Sequence, residues 1–237
     1  MEIGKMSGSA LKIIAVVSMI CDHVAKFILV HYDFARAPLF VFHGHRINLL
    51  FLLVSIIGRM AFPLFAFLAV EGYLHTRNLR KYVLNLIVFG ILTMIPWNLL
   101  HGGLWTFHSC NVLFTLALGI LAIYGVDKLR GWKSFLCVVV AAALAYLLKS
   151  DYGMGGVLLM VVLYGFRQRR EFQSLSVVAC LFRGMKGAGV ILATVPIMLY
   201  NGQRGFIKGK AAKYLFYAIY PLHLLIIYYL RIALGIS

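Results

Sequence analysis

The chain has 237 residues, 62% of them hydrophobic and only 13% charged, with a mean hydropathy of +0.92. A soluble domain is about 45–50% apolar, so this composition excludes an ordinary water-soluble core and points to a polytopic membrane protein. The net charge of +16 does not read as a nucleic-acid footprint, because the basic residues lie in short clusters between apolar runs and form no duplex-sized face.

In chain order, nine apolar segments are expected at 10–31, 47–74, 80–100, 111–126, 134–148, 153–166, 172–183, 187–200 and 213–234. The predicted fold is an all-α bundle of one domain, 1–237, with about nine crossings and a range of eight to ten. Several segments fall short of the roughly 20 residues a crossing needs, and 47–74 exceeds it. Gly58 and Pro63 flank the middle of that long segment and are expected to break it into a half-helix and a full one.

With the N-terminus placed in the cytoplasm, most of the 23 basic residues fall on that side. They are Lys5, Lys12, then Arg77, Arg80 and Lys81, then Lys128, Arg130 and Lys133, then Arg167, Arg169 and Arg170, and last Arg204, Lys208, Lys210 and Lys213. Arg36, Arg46, Lys149, Arg183, Lys186 and Arg231 go outside, an asymmetry that follows the positive-inside rule. The region 172–200 is the weakest part of this topology, since two short helices there need Arg183 and Lys186 outside. The N-terminal run does not read as a cleaved leader, because it holds an Asp, a His and a Lys. Cys21, Cys110, Cys137 and Cys180 have no CxxC spacing and read as buried thiols.

The chemistry is expected inside the bundle. Asp22, His23 and Lys26 interrupt the first segment, and Arg59 is the one charge in the middle of the second. A charge at mid-membrane costs at least roughly 2.5–3.5 kcal/mol, so such residues normally face a protein interior and act there. Lys12 and His23 are eleven residues apart, nearly three whole turns, which places them on one helix face about 16 Å apart along the axis. Asp22 points about 100° away from His23 and faces Lys26, although another helix would let it orient the imidazole. Arg59 stays protonated and needs a carboxylate, carbonyls or an anionic ligand; Asp22 and Glu71 are the structural candidates. His223 follows Pro221 in the last segment at a depth similar to His23, so the two can converge.

His31, His43 and His45 lie in the first outer loop. No strand or helix context is expected there, and no metal is expected. The uncharged loop 101–111, with His101, Trp105, His108 and Asn111, reads either as a lid or as a plain interfacial connection. Gly153, Gly155 and Gly156 read as close-packing positions.

Three stretches resemble the TraX family: LKIIAVVSMICDHVAKF at 11–27, GRMAFPLFAFLAVEGYLHTRNLRKY at 58–82, and KYLFYAIYPLHLLIIYYLR at 213–231. YGMGG at 152–156 and CNVLFTLALGIL at 110–121 extend the likeness. The family is named for a conjugative-plasmid protein that N-acetylates pilin, and is similar to the wider transmembrane acyltransferases, whose first helix carries an Arg/Lys-x10-His motif. Lys12 and His23 stand at that spacing. The resemblance implies acetyl-CoA as acyl donor, His23 as the catalytic histidine, and roles for Arg59 and His223. The expected constellation is therefore catalytic His23, Arg59, Asp22 and His223, with Lys12, Arg77, Arg80, Lys81 and Lys213 holding the phosphates of coenzyme A. The acceptor stays open between peptide amine, sugar hydroxyl and lipid head group, and the expected location is a bacterial inner membrane. Two rival readings are a small proton-coupled transporter and a non-catalytic assembly factor of a pilus or conjugation system.

Overall fold

A computed structural model describes residues 4–103, 109–182, 184 and 187–236. Among these, nine helical rods account for the nine apolar runs. They are α1 (Gly8–Phe27), α2 (Leu49–His75), α3 (Leu79–Leu100), α4 (Val112–Lys128), α5 (Trp132–Leu147), α6 (Gly153–Gly165), α7 (Arg170–Leu181), α8 (Ala188–Met198) and α9 (Gly209–Ala233). Helices α1, α2, α3 and α9 lie in rods long and apolar enough to cross a membrane. At 1.5 Å per residue, α6, α7 and α8 rise only about 20, 18 and 17 Å, less than the ~30 Å hydrocarbon core.

Polar residues set the helix starts. The Ser7 hydroxyl accepts from Ala10 N–H, Asn78 from Lys81 N–H and Asn111 from Leu113 N–H, so each satisfies a donor that the first turn leaves free. The start of α1 is also fastened to the linker before α9. Gly8 N–H donates to the Gln203 carbonyl, and the Ser9 hydroxyl donates to the Arg204 carbonyl. Lys12 and Arg204 therefore share one rim.

Gly58 and Pro63 do not break α2. The rod stays helical, with a π-wound stretch at Leu52–Ile57 and a 3-10 turn at Gly58–Met60 before regular α-helix resumes at Ala61. A proline near the start of a regular helical stretch loses little, because the first N–H groups have no helical acceptor anyway. The irregular stretch is where α1 and α8 come closest. A Cβ on Gly58 would lie 2.6 Å from Asp22 Oδ1, and one on Gly189 would lie 1.8 Å from the Ile56 carbonyl oxygen.

The core is a continuous apolar cluster around α1, α2, α4 and α6, including Leu11, Leu64, Phe67, Ile120 and Met160. At its charged end, α7 contributes an unusual polar set. Arg170 pairs with Glu71 at 3.2 Å and donates to Gln173 at 2.7 Å, while Gln173 donates to the Leu163 carbonyl. Glu71 thus takes Arg170 as its partner, not Arg59. Nearby, Asp127 accepts hydrogen bonds from Tyr164 (2.5 Å) and Tyr73 (3.0 Å). The Tyr164 bond, with Lys128 beside it, holds the Asp127 carboxyl down at about 2.

The loop between α1 and α2 corrects the expectation of a segment with no strand or helix context. Pro38–Phe42 and His45–Asn48 form an antiparallel hairpin, β1 and β2, turning at His43 and Gly44. All five residues of β1 are exposed. Of the other expectations, Trp105, His108, Arg183 and Lys186 lie outside the described residues. All four cysteines are free thiols, and Cys180 is exposed.

Candidate active site

His23, on α1, and His223, on α9, are 200 positions apart in sequence and meet in the interior. His23 Nδ1 lies 2.8 Å from His223 Nε2, and both residues are buried, at 8% and 7% exposure. His223 Nδ1 lies 2.8 Å from the Ile219 carbonyl oxygen. A carbonyl only accepts, so His223 Nδ1 carries the proton. In the neutral ring, His223 Nε2 then has the lone pair, and His23 Nδ1–H donates to it. The remaining lone pair of the couple is on His23 Nε2. A local backbone contact thus fixes which nitrogen can take a proton.

The pair is enclosed by aromatic rings. Phe27 stacks beside His23 at a centroid distance of 6.0 Å, Trp97 meets it edge-on at 6.4 Å, and Tyr220 lies at 6.2 Å. Trp97 is 8% exposed, and its indole Nε1 has no hydrogen-bond partner among the described residues. His101 donates from Nδ1 to the Trp97 carbonyl and packs on its ring at 4.3 Å.

A cavity of about 410 Å³ runs toward this pair. Its open side carries Lys12, His75, Arg204 and Lys213; Glu71 and Tyr200 are buried in its wall, and Met19, Val112, Ile219 and Tyr220 line it as well. Its volume is that of small-molecule pockets, roughly 300–1,000 Å³. Lys12 Nζ sits over the Phe216 ring and Lys213 Nζ over the Tyr217 ring, so the stems follow apolar walls and the charges stay at the opening. Of the basic residues expected to bind phosphate, Lys12 and Lys213 line this mouth. Arg77, Arg80 and Lys81 do not line it; they are exposed at the start of α3. Arg204 lines it and was missed, because its position depends on how the linker folds over α1.

Asp22 and Arg59 belong to a second, neighbouring group. Asp22 is paired with Lys26 at 2.5 Å and does not orient His23. Arg59 makes no ion pair within 4 Å among the described residues, and its guanidinium bears on the hydroxyl of Tyr152. Tyr152 has a left-handed backbone (φ 64°) and stacks on Phe62 at 3.7 Å. The structure therefore joins His23 to His223 and turns Asp22 toward the Gly58–Met60 turn that carries Arg59.

The TraX protein family model matches residues 7–231. The chain belongs to the TraX family. It is similar to a probable fimbrial assembly protein, FimC of serogroup H1, from Dichelobacter nodosus, with 27% identity over 92% of this chain and 93% of that one. It is also similar to two TraX proteins of Escherichia coli. One is 28% identical over 57% of this chain and 56% of its own length; the other, from strain K12, is 24% identical over 72% and 61%. No solved structure matches the chain. The His23–His223 pair and the cavity beneath it thus sit in a TraX-family membrane protein whose match runs almost end to end.

Proposed function

We propose that this TraX-family protein is a membrane-embedded acyltransferase that moves an acetyl group from cytosolic acetyl-CoA to an amine or hydroxyl acceptor at the outer half of a bacterial inner membrane. The observation that carries this reading is a histidine pair with a fixed tautomer beside a cavity that Ile219 and Tyr220 line and whose mouth is cationic. Lys12, Arg204 and Lys213 are suited to the phosphates of coenzyme A, and the apolar walls to its pantetheine arm. The eleven-residue rise from Lys12 to His23, about 16 Å, matches an extended arm with the thioester at the level of His23.

In this mechanism His23 Nε2 takes the proton of the incoming amine or hydroxyl as that group attacks the thioester carbonyl. His223 holds the imidazole and accepts from its Nδ1–H, which strengthens the base without placing a net charge in the wall. The His23 proton then goes to the departing thiolate. A positioned base of this kind contributes typically 10²–10⁴-fold. The placement of the N-terminus in the cytoplasm and a count of nine crossings belong to the same reading, with α6–α8 crossing where neighbouring helices shelter their short ends.

The printed name of the Dichelobacter relative favours a second reading, a non-catalytic assembly factor for fimbriae. One experiment separates the two. Purified protein in lipid nanodiscs is given acetyl-CoA, and free thiol is measured over time with a His23→Ala control. The enzyme reading expects acetyl-CoA binding and histidine-dependent thiol release. Wild-type protein that neither binds acetyl-CoA nor releases thiol in the presence of pilin, glycan or lipid acceptors rejects it.

A further inference from the structure

One polar side chain in the cavity wall has no part in the histidine couple. Tyr220 lines the cavity, is 6% exposed, and sits 6.2 Å from His23 and 5.5 Å from His223 between ring centroids. A phenol O–H can donate to an acceptor.

Val112 is the first residue of α4, and Val112 and Leu113 both form cavity wall. The next two donors of that helix are taken: Leu113 N–H goes to the Asn111 side chain and Phe114 N–H to the Asn111 carbonyl. A helix start carries partial positive charge. Val112 brings that helix start to the cavity wall. Tyr220 is a neutral O–H donor in the same wall, with its ring beside that of His23. Asn111 buries completely to hold this geometry, donating to the Gly90 carbonyl at 2.8 Å.

We propose that the Tyr220 hydroxyl donates to the thioester carbonyl oxygen and stabilises the oxyanion during acyl transfer. The inference rests on the acyltransferase reading above. As the acceptor nitrogen or oxygen bonds to the carbonyl carbon, His23 Nε2 takes its proton and the carbonyl π electrons move to oxygen, where Tyr220 O–H meets them. When the C=O bond re-forms, the C–S bond breaks and the thiolate leaves with the proton from His23. A neutral donor suits this site, because an added cation there would compete with the protonated imidazole.

The test is difference infrared spectroscopy of acetyl-CoA carrying a ¹³C-labelled carbonyl, bound to the full-length protein in nanodiscs, alongside steady-state turnover. Wild type is expected to lower the carbonyl stretch relative to free acetyl-CoA. Tyr220→Phe is expected to lose most of that lowering and to cut kcat about 100-fold with little change in KM, the size expected for one lost oxyanion donor. A Tyr220→Phe protein that binds acetyl-CoA with the full wild-type shift overturns the proposal. So does loss of the shift in Trp97→Phe with Tyr220→Phe unchanged, which would assign the donor to the unpaired indole. If acetyl-CoA does not bind wild type at all, the acyltransferase reading fails first, and the proposal with it.

Discussion

His23 Nδ1 and His223 Nε2 are within hydrogen-bonding distance because two helices from opposite ends of the chain pack side by side, and the Ile219 carbonyl decides which ring is the donor. The direction of that bond is what turns a buried imidazole into a base with a lone pair in a defined place. His223 is in this respect a positioning residue. Its replacement by Gln, whose carbonyl can still accept from His23 Nδ1–H, is expected to keep a measurable part of the turnover. His223→Ala is expected to lose about 10–100-fold more, in line with the cost of losing a group that orients another. Thiol-release kinetics on the two variants check this, and equal loss in both would refute the tautomer argument.

In the proposed mechanism His23→Ala removes the base itself. Turnover is expected to fall by about 10²–10⁴-fold while the amount of folded protein in the membrane stays the same. Size-exclusion profiles and acetyl-CoA consumption, measured on the same preparation, give both numbers.

The cavity mouth predicts a salt-sensitive KM. Lys12→Gln, Arg204→Gln and Lys213→Gln each remove one cation from the opening. Each is expected to raise KM for acetyl-CoA several-fold and to reduce its dependence on ionic strength, because exposed charges are screened within about 8–10 Å at physiological salt. Arg80→Gln, outside the lining, is the control and is expected to leave KM unchanged. Initial rates at two salt concentrations are sufficient.

Asp127 predicts a pH effect on stability. Its carboxyl is held near 2, below its ordinary value of 3.8, by the Tyr164 hydrogen bond and then by Lys128. A depressed carboxyl stabilises the fold above its unfolded pKa, and that contribution disappears as pH falls through the folded value. Wild type is therefore expected to melt above Asp127→Asn at pH 6, and the gap to close between about pH 4 and 2. Thermal unfolding in detergent across that range reads it.

Gly189 predicts a packing failure at the second polar group. A Cβ there would lie 1.8 Å from the Ile56 carbonyl oxygen and 3.0 Å from the Arg59 Cβ. Backbone cannot yield as a flexible side chain can, so Gly189→Ala is expected to destabilise the fold by at least the ~1–3 kcal/mol typical of overpacking. Gly155→Ala, which meets nothing within 4 Å, is the neutral comparison. Melting temperatures of both variants test the pair.

The sequence by itself determined the helical class, the placement of nine apolar rods, the Asp22–Lys26 pair and the interior position of His23. Each of these follows from hydropathy or from spacing along one helix, and periodicity reports such relations faithfully. Tertiary structure alone decided that His23 faces His223 and not Asp22, that Glu71 takes Arg170, that Arg59 lies against Tyr152, and that Arg204 joins Lys12 at the cavity mouth. Those contacts join distant parts of the chain, and which side chains meet is fixed by how helices rotate and cross as they pack, which no local pattern encodes. The hairpin between α1 and α2 escaped notice for a different reason: its first strand, β1, is exposed throughout and shows no alternation of apolar and polar residues.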